Sequence, residues 1–328
     1  MKAIVYTKYG MPDVLKLKEV PKPTPRNGEV LVKVHAASVN SWDWDLLRGK
    51  PFLTRLGGIL SPKHNILGAD VAGQIEAVGP NVEQFKPGDA VFGDLSGCSW
   101  GGFAEYVCAP EHAFALKSAG MSWEEAAAIP QAATLALQGL HYKGQIRKGQ
   151  TVLINGAGGG VGTFAIQMAK SWGAEVTGVD STGKLELLRA IGADHVIDYT
   201  KENFTDKGQR YDFILDVVGN RSLYDHKRAL NPGGTYVMIG GSTNRIVQLL
   251  FMRAWISRAD KQLAGQGHSK MGLLMHKPNT SDLDIIKALF EAGKVVPVID
   301  RRYPLQAVPE AIRCLGEGQA LGKLVITL

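Results

Sequence analysis

The chain has 328 residues, 45% hydrophobic and 21% charged, which excludes a disordered, collagen-like or disulfide-stapled protein and leaves room for two domains with separate cores. Its 37 basic and 31 acidic side chains give a formal charge of +6, but the basic residues are scattered and form no run that would track a nucleic-acid backbone. Three cysteines, Cys98, Cys108 and Cys314, are an odd number in a long chain and point to reduced thiols and the cytoplasm. The first residues alternate like a strand and lack the apolar core of a signal peptide. No uncharged apolar stretch reaches the ~20 residues needed to cross a bilayer.

From residue 1 to about 120 the pattern is of short β-runs separated by turn residues. Residues 30–34 alternate with charged neighbours, 71–78 run between glycines, and 85–92 make a Pro-Gly turn entering a strand. Near Trp123 the pattern changes to alternating strands and helices. Thr151–Asn155 is a short apolar strand, and Val161, Phe164, Ala165, Met168, Ala169 and Trp172 then recur with the spacing of an amphipathic helix. Further strands are predicted at 175–179, His195–Asp198, Tyr211–Asp216 and 235–239, which implies a parallel sheet with helices on both faces. The stretch 245–259 mixes arginines with Leu249, Trp255 and Ile256, and reads either as a membrane-surface helix or as one packing on the sheet. A helix at 282–292 and a terminal strand at 322–328 close the chain.

Between the strand Thr151–Asn155 and the amphipathic helix lies Gly156-Ala-Gly-Gly-Gly-Val-Gly162. Read as Ala157-x-Gly159-x-x-Gly162, with Gly158, Gly160 and Val161 between, it is the dinucleotide fingerprint with its first glycine replaced by alanine, in the strand-turn-helix context the motif requires. Small residues let the backbone approach a pyrophosphate, and the free N–H groups and positive end of the helix stabilise its charge. Asp180 ends the second strand, where an acidic side chain accepts from an adenosine ribose hydroxyl; it could instead cap the next helix. Ser181, Thr182 and Lys184 offer donors to a 2′-phosphate.

With the β-rich first part, the central fingerprint and a C-terminal return segment, the chain resembles the medium-chain dehydrogenase/reductase superfamily. It is similar in particular to the zinc-independent quinone oxidoreductase and enone reductase branch. The residues carrying this are Ala37-Ser-Val-Asn40-x-x-Asp43, Gly68-x-Asp-Val-Ala-Gly73 to Val78-Gly79, Phe85-Lys-Pro-Gly-Asp89, Gly101-Gly-Phe-Ala-Glu-Tyr106, the fingerprint, His195-Val-Ile-Asp-Tyr199 and Gly322-Lys323. The resemblance implies a doubly wound Rossmann domain at 124–278 and a β-rich, GroES-like catalytic domain at 1–123 completed by 279–328, with the active site in the cleft between them.

In the zinc-dependent relatives a metal is held near position 40, in a Gly-His-Glu segment and at a later cysteine. This chain has Asn40-Ser41, Gly68-Ala69-Asp70 and Pro130-Gln131-Ala132 at those places, so no three-ligand set remains and no zinc is expected. Without a Lewis acid the fitting acceptors are quinones and α,β-unsaturated carbonyls, which take hydride at carbon and spread charge onto a conjugated oxygen. The resemblance places Asn40 and Asp43 beside nicotinamide and substrate, although Asn40-Ser41 replaces the usual Asn-Pro and Asp43 also reads as a turn or cap residue. It places Thr134 and Lys323 near the cofactor, Tyr199 at the adenosine phosphate, and Val218, Gly240 and Gly241 along the cofactor. Trp42 and Trp44 are expected either to wall an apolar pocket or to pack between domains. Taken alone the Asp180 carboxylate repels a 2′-phosphate and favours NADH, whereas Ser181, Thr182 and Tyr199 offer donors to one, and Lys184 is compatible with either. The branch as a whole leans to NADPH, so NADPH is slightly favoured with NADH also used, and a homodimer is the family expectation. The competing readings are a nucleotide-binding sensor or structural protein without catalysis, and an alcohol or aldehyde oxidoreductase of the same superfamily.

Overall fold

The structure, a computed structural model, describes residues 1–55, 58–206, 208–240, 248–249 and 270–328. The chain divides into two compact units, one of Met1–Thr134 with Lys277–Leu328 and one of Leu135–His276.

The first unit is β-rich. Strands β1 (Lys2–Val5) and β2 (Lys16–Glu19) form an antiparallel hairpin. The main sheet is built on β3 (Glu29–Val39), whose Val30, Val32 and Val34 point into the core while Lys33 stays exposed. Strand β4 (Asp70–Val78) lies antiparallel along one edge of β3 and leads on to β5 (Ala90–Asp94) and β7 (Phe114–Leu116). The other edge of β3 is shared end to end: β6 (Tyr106–Pro110) pairs with Glu29 to Lys33, and β15 (Lys323–Thr327) pairs with Ala36 to Val39. Strand β14 (Ile299–Pro304) runs parallel to β15 beyond it. Helix Trp123–Ala128, started by a Ser122–Glu125 capping box, packs on β3, β4 and β15, so this unit extends past the compositional change near Trp123.

The second unit is a six-stranded, all-parallel sheet in the order β10-β9-β8-β11-β12-β13, with β8 Thr151–Asn155, β9 Glu175–Asp180, β10 His195–Asp198, β11 Tyr211–Asp216, β12 Leu230–Met238 and β13 Lys270–Leu273. This is the doubly wound Rossmann arrangement that the strand-helix alternation predicts, with the direction of strand order reversing between β8 and β11. Helix Gly160–Ser171 buries Phe164, Ala165, Met168 and Ala169, as its apolar spacing requires, and packs on β8 and β9. The sixth strand, β13, has no counterpart in the sequence reading, because four residues including Lys270 and Gly272 carry almost no strand pattern. Apart from residues 248 and 249, the stretch 245–259 lies outside the described residues, as does Gly241.

Candidate active site

In the first unit, strand β3 ends at Val39 and the chain turns at Asn40 into the helix Ser41–Arg48. Asp43, three residues on, turns back and accepts the Asn40 backbone N–H at 2.8 Å, which fixes the turn. Its other oxygen accepts the Gly68 N–H at 2.9 Å, tying the helix to the segment before β4. Asn40 itself is gripped from two sides. Its Oδ1 accepts from Lys323 Nζ at 2.5 Å, and its Nδ2 donates to Asp70 Oδ2 at 2.9 Å.

Asp70 is fully buried and also accepts from Ser38 Oγ at 3.1 Å and from the Gln131 backbone N–H at 3.0 Å. The Lys323 ammonium lies 3.4 Å from Asp70 and donates to the Val39 carbonyl at 3.3 Å. Two carboxylates and one ammonium are therefore out of water together. Burial pushes Asp43 up to about 7, against its two backbone N–H bonds, and pushes Asp70 up to about 6, against the pull of Lys323. Burial likewise pushes Lys323 down, opposed by Asp70. The ammonium fixes the Asn40 amide with its oxygen toward Lys323 and its nitrogen toward Asp70.

Thr134 is buried about one turn beyond Gln131 on the helix Pro130–Leu137. Trp42 is half exposed, stacks near Trp100 at 6.4 Å between ring centroids, and lines a cavity. Trp44 does not line that cavity. It faces Gly316, where an added Cβ would come within 2.5 Å of the indole, and the Arg48 guanidinium lies over its ring at 4.4 Å. Two residues apart on a helix point to nearly opposite sides, so Trp42 and Trp44 cannot wall one pocket.

In the second unit the C-terminal ends of the parallel strands bring the fingerprint and its neighbours to one edge. Gly156 has φ +84°, a left-handed turn that a side chain would strain, and a Cβ there would also lie 2.5 Å from Val218 Cγ2. Gly159 caps the helix Gly160–Ser171, in whose first turn Val161 lies. A Cβ on Gly162 would come within 2.4 Å of the Gly156 carbonyl and 2.5 Å of Ala157 Cα, so only glycine lets the helix start this close to the turn. Gly240 packs the same way against the Val217 carbonyl, 2.5 Å from where its Cβ would be. These close approaches leave the backbone at the helix start without side-chain bulk, which fits a pyrophosphate.

Asp180 both reaches the turn and is used by it. One carboxylate oxygen accepts the Gly158 N–H at 2.8 Å and the other accepts the Ser181 N–H at 2.9 Å. Lys184 Nζ stands 3.8 Å from it, with its side chain leaning over Gly158. The register of β9 and β10 sets Asp198 beside Asp180, and Tyr199, partly exposed, donates its N–H to the Asp180 carbonyl at 3.1 Å. The Thr182 hydroxyl is taken up by Asp198, which Thr182 and Thr200 hold down at about 2 and which Lys201 approaches to 3.4 Å. Of the predicted adenosine-end residues, Asp180, Ser181, Lys184 and Tyr199 thus gather at one place, with the Thr182 hydroxyl engaged by the neighbouring Asp198.

Sequence reasoning missed a second carboxylate at this edge. Asp216, at the end of β11, accepts from Val218 N at 3.2 Å, Gly219 N at 2.8 Å, Asn155 Nδ2 at 2.8 Å and Tyr236 Oη at 2.8 Å, and so holds the turn carrying Val218. His226 Nε2 lies 3.0 Å away. The signal available in the sequence was Asp216 followed at once by Val-Val-Gly219 after an apolar strand.

Residues 26–119 match the alcohol dehydrogenase GroES-like domain, and residues 191–326 match the zinc-binding dehydrogenase family. The chain is 36% identical to 2-methylene-furan-3-one reductase of Solanum lycopersicum, over 99% of this chain and 79% of that protein. It is 30% identical to quinone oxidoreductase of Homo sapiens, over 100% of this chain and 98% of that protein. The chain belongs to the quinone oxidoreductase and enone reductase branch of the medium-chain dehydrogenase/reductase superfamily. Its fold superposes on the quinone oxidoreductase from Coxiella burnetii with a TM-score of 0.87 at 30% identity, covering 100% of this chain and 99% of that one. The matched family carries zinc in its description, yet Asn40, Asp70 and Gln131, at the places where zinc-dependent members hold metal, offer one carboxylate and two amides and do not fit a zinc ligand set. Among the described residues no group of three or more His, Cys, Asp or Glu side chains is placed to hold a metal ion. No helix among them is long and apolar enough to cross a membrane.

Proposed function

We propose that this chain is an NAD(P)H-dependent reductase that passes hydride to a quinone or an α,β-unsaturated carbonyl without a metal. The observation that carries this is the convergence of Asn40 and Asp70 on the Lys323 ammonium, at 2.5 and 3.4 Å. The three N–H groups of the ammonium are taken by Asn40, Asp70 and the Val39 carbonyl, so Lys323 acts by fixing the Asn40 amide. The second Nδ2 hydrogen of that amide suits an acceptor whose developing charge needs only hydrogen-bond stabilisation. Relatives described as a 2-methylene-furan-3-one reductase and a quinone oxidoreductase support the same acceptor class.

The nicotinamide cofactor, when bound, supplies the hydride. Gly158, Gly159, Gly160, Val161 and Gly162, with buried Ala157 beneath them, offer the helix N-terminus to its pyrophosphate. Ser181, Lys184 and Tyr199 serve its adenosine end. We assign a preference for NADPH, with NADH also accepted, because the Asp180 carboxylate is already engaged by two N–H groups and faced by Lys184, which weakens its repulsion of a 2′-phosphate. Thr134, Val218, Gly240 and Lys323 are assigned to the nicotinamide half. Asn40 and Asp43 orient the reacting pair: the Asn40 amide has no useful proton affinity near neutrality, and Asp43 holds the turn. A homodimer in the cytoplasm belongs to the same proposal, supported by three unpaired cysteines and the family resemblance.

The test is to follow nicotinamide absorbance with NADPH and NADH against 1,4-benzoquinone, 1,2-naphthoquinone and a simple enone. Oxidation is expected with at least one acceptor and unchanged after dialysis against a chelator. Cofactor binding without oxidation by any acceptor, or activity lost to the chelator and restored by zinc, overturns the reading.

A further inference from the structure

The first unit holds a cavity of about 130 Å³, walled by Tyr6, Tyr9, Trp42, Leu46, His64 and Trp100. The helix Ser41–Arg48 joins it to the buried cluster, presenting Trp42 and Leu46 to the cavity while Asp43 is buried in the cluster. The Trp42 and Trp100 rings lie 15° from parallel, and the His64 ring is 6.5 Å from Trp100. Burial pushes His64 below its usual range, so it stays uncharged at neutral pH, and no carboxylate is among the described residues of the lining. Lys63 also lines the cavity, and aromatic walls beside a cation and without acidic groups suit a flat molecule that carries an electron-rich oxygen.

Tyr6 is the distinctive member. It is 3% exposed, yet its hydroxyl has no hydrogen-bond partner among the described residues and is not sealed off from the cavity that it lines. Its backbone N–H is fixed to the Asn65 carbonyl at 3.0 Å, which holds the ring against the segment carrying His64. Tyr9, by contrast, spends its hydroxyl on the Gly58 carbonyl at 2.5 Å. The Tyr6 hydroxyl is therefore a donor held in place and open to whatever enters the cavity, water or a ligand.

We propose that this cavity seats the ring of a flat conjugated carbonyl compound, such as a quinone, and that the Tyr6 hydroxyl donates a hydrogen bond to its oxygen. The choice of ligand class rests on the hydride-transfer reading above; the cavity and its unpartnered donor do not. Burial, with Tyr9 and Asp43 nearby, pushes the Tyr6 phenol well above its ordinary ionisation range, so it remains a donor at any working pH. It contributes a neutral donor to an oxygen that gains charge as hydride arrives from the reduced nicotinamide; the hydroquinone anion so formed takes its proton from water, with none leaving the tyrosine.

The experiment uses the full chain, with 1,4-naphthoquinone as the probe, in wild type, Tyr6→Phe and Trp42→Ala. Tyr6→Phe keeps the ring and is expected to lower kcat/KM for the quinone by about 10²-fold, mostly in kcat, with the cofactor KM and the melting temperature unchanged. Trp42→Ala, at a half-exposed site, is expected to raise the quinone KM by about tenfold. Tyr6→Phe kinetics equal to wild type overturn the donor role. If the wild type passes hydride to no quinone or enone, the hydride-transfer reading falls, and calorimetric binding of naphthoquinone decides the cavity by itself. Binding weakened by Trp42→Ala supports it, and binding equal in wild type and Trp42→Ala overturns it.

Discussion

The two units place their functional groups by opposite means. At the fingerprint edge of the second unit the parts offered to a cofactor are backbone, exposed because Gly156 and Gly162 carry no side chain, and the nearby carboxylates Asp180 and Asp216 are spent on holding turns in shape. In the first unit the working parts are side chains, and the charges of Asp43, Asp70 and Lys323 are buried against one another. A backbone cradle tolerates many sequences if the glycines stay. A buried charge cluster tolerates few, because each member's cost is offset only by its particular partners, the opposite charge for Asp70 and Lys323 and fixed donors for Asp43 and Asp70.

That contrast is broken most directly at Lys323. Lys323→Met removes the ammonium and leaves Asp70 buried with amide and hydroxyl donors only, and is expected to destabilise the first unit by about 3–5 kcal/mol. Urea unfolding measures it, and the double variant Lys323→Met with Asp70→Asn should recover a large part of the loss. Equal stability of wild type and Lys323→Met would show that the cluster is not charge-balanced.

A second expectation concerns pH. Asp43 and Asp70, at about 7 and about 6, hold protons in the folded state that the unfolded chain, with carboxylates near 4, has already released. Stability is therefore expected to fall as pH rises from about 4 to about 7, by no more than about 1.4 kcal/mol per pH unit for each proton. Lys323, lowered by burial, acts in the opposite sense at higher pH, where the unfolded lysine is still charged and the folded one is not. Melting curves at pH 5 and 7.5 should show a smaller fall for Asp43→Asn than for wild type, and identical slopes would remove Asp43 from the titrating set.

The smallest effect is expected in the second unit, where charge has the lesser part. Asp180→Asn keeps an acceptor for the Gly158 N–H and deletes the charge, and should raise the ratio of kcat/KM for NADPH over NADH by about tenfold, or about 1.4 kcal/mol. An unchanged ratio would mean that this carboxylate does not face the ribose.

The same contrast governs what the sequence could be made to say. The fingerprint was legible because its parts lie within seven residues and its strand and helix announce themselves by apolar spacing. The cluster was legible only in pieces: Asn40 and Lys323 are 283 positions apart and Asn40 and Asp70 are 30 apart, distances at which no local pattern reports contact. Asp70 was read as a failed metal ligand, whereas it is the hub that orients the Asn40 amide. Pairing Trp42 with Trp44 ignored the helical turn between them. Tyr6 gave no signal, since a tyrosine at a strand end is ordinary until the cavity beside it is seen.

One consequence of the strand order concerns how the chain acquires its shape as it is made. The second unit is a single continuous span, Leu135–His276, and needs nothing outside itself to pair its strands. The first unit inserts β15, Lys323–Thr327, between β14 and β3, so β14 has no place in the sheet and part of one edge of β3 stays open until β15 arrives. All strands of the second unit precede β15 in the chain and can pair before it is made. Until β15 is made, the first unit presents the open edge of β3 at Ala36 to Val39, the interval in which it is most exposed to mispairing with other chains.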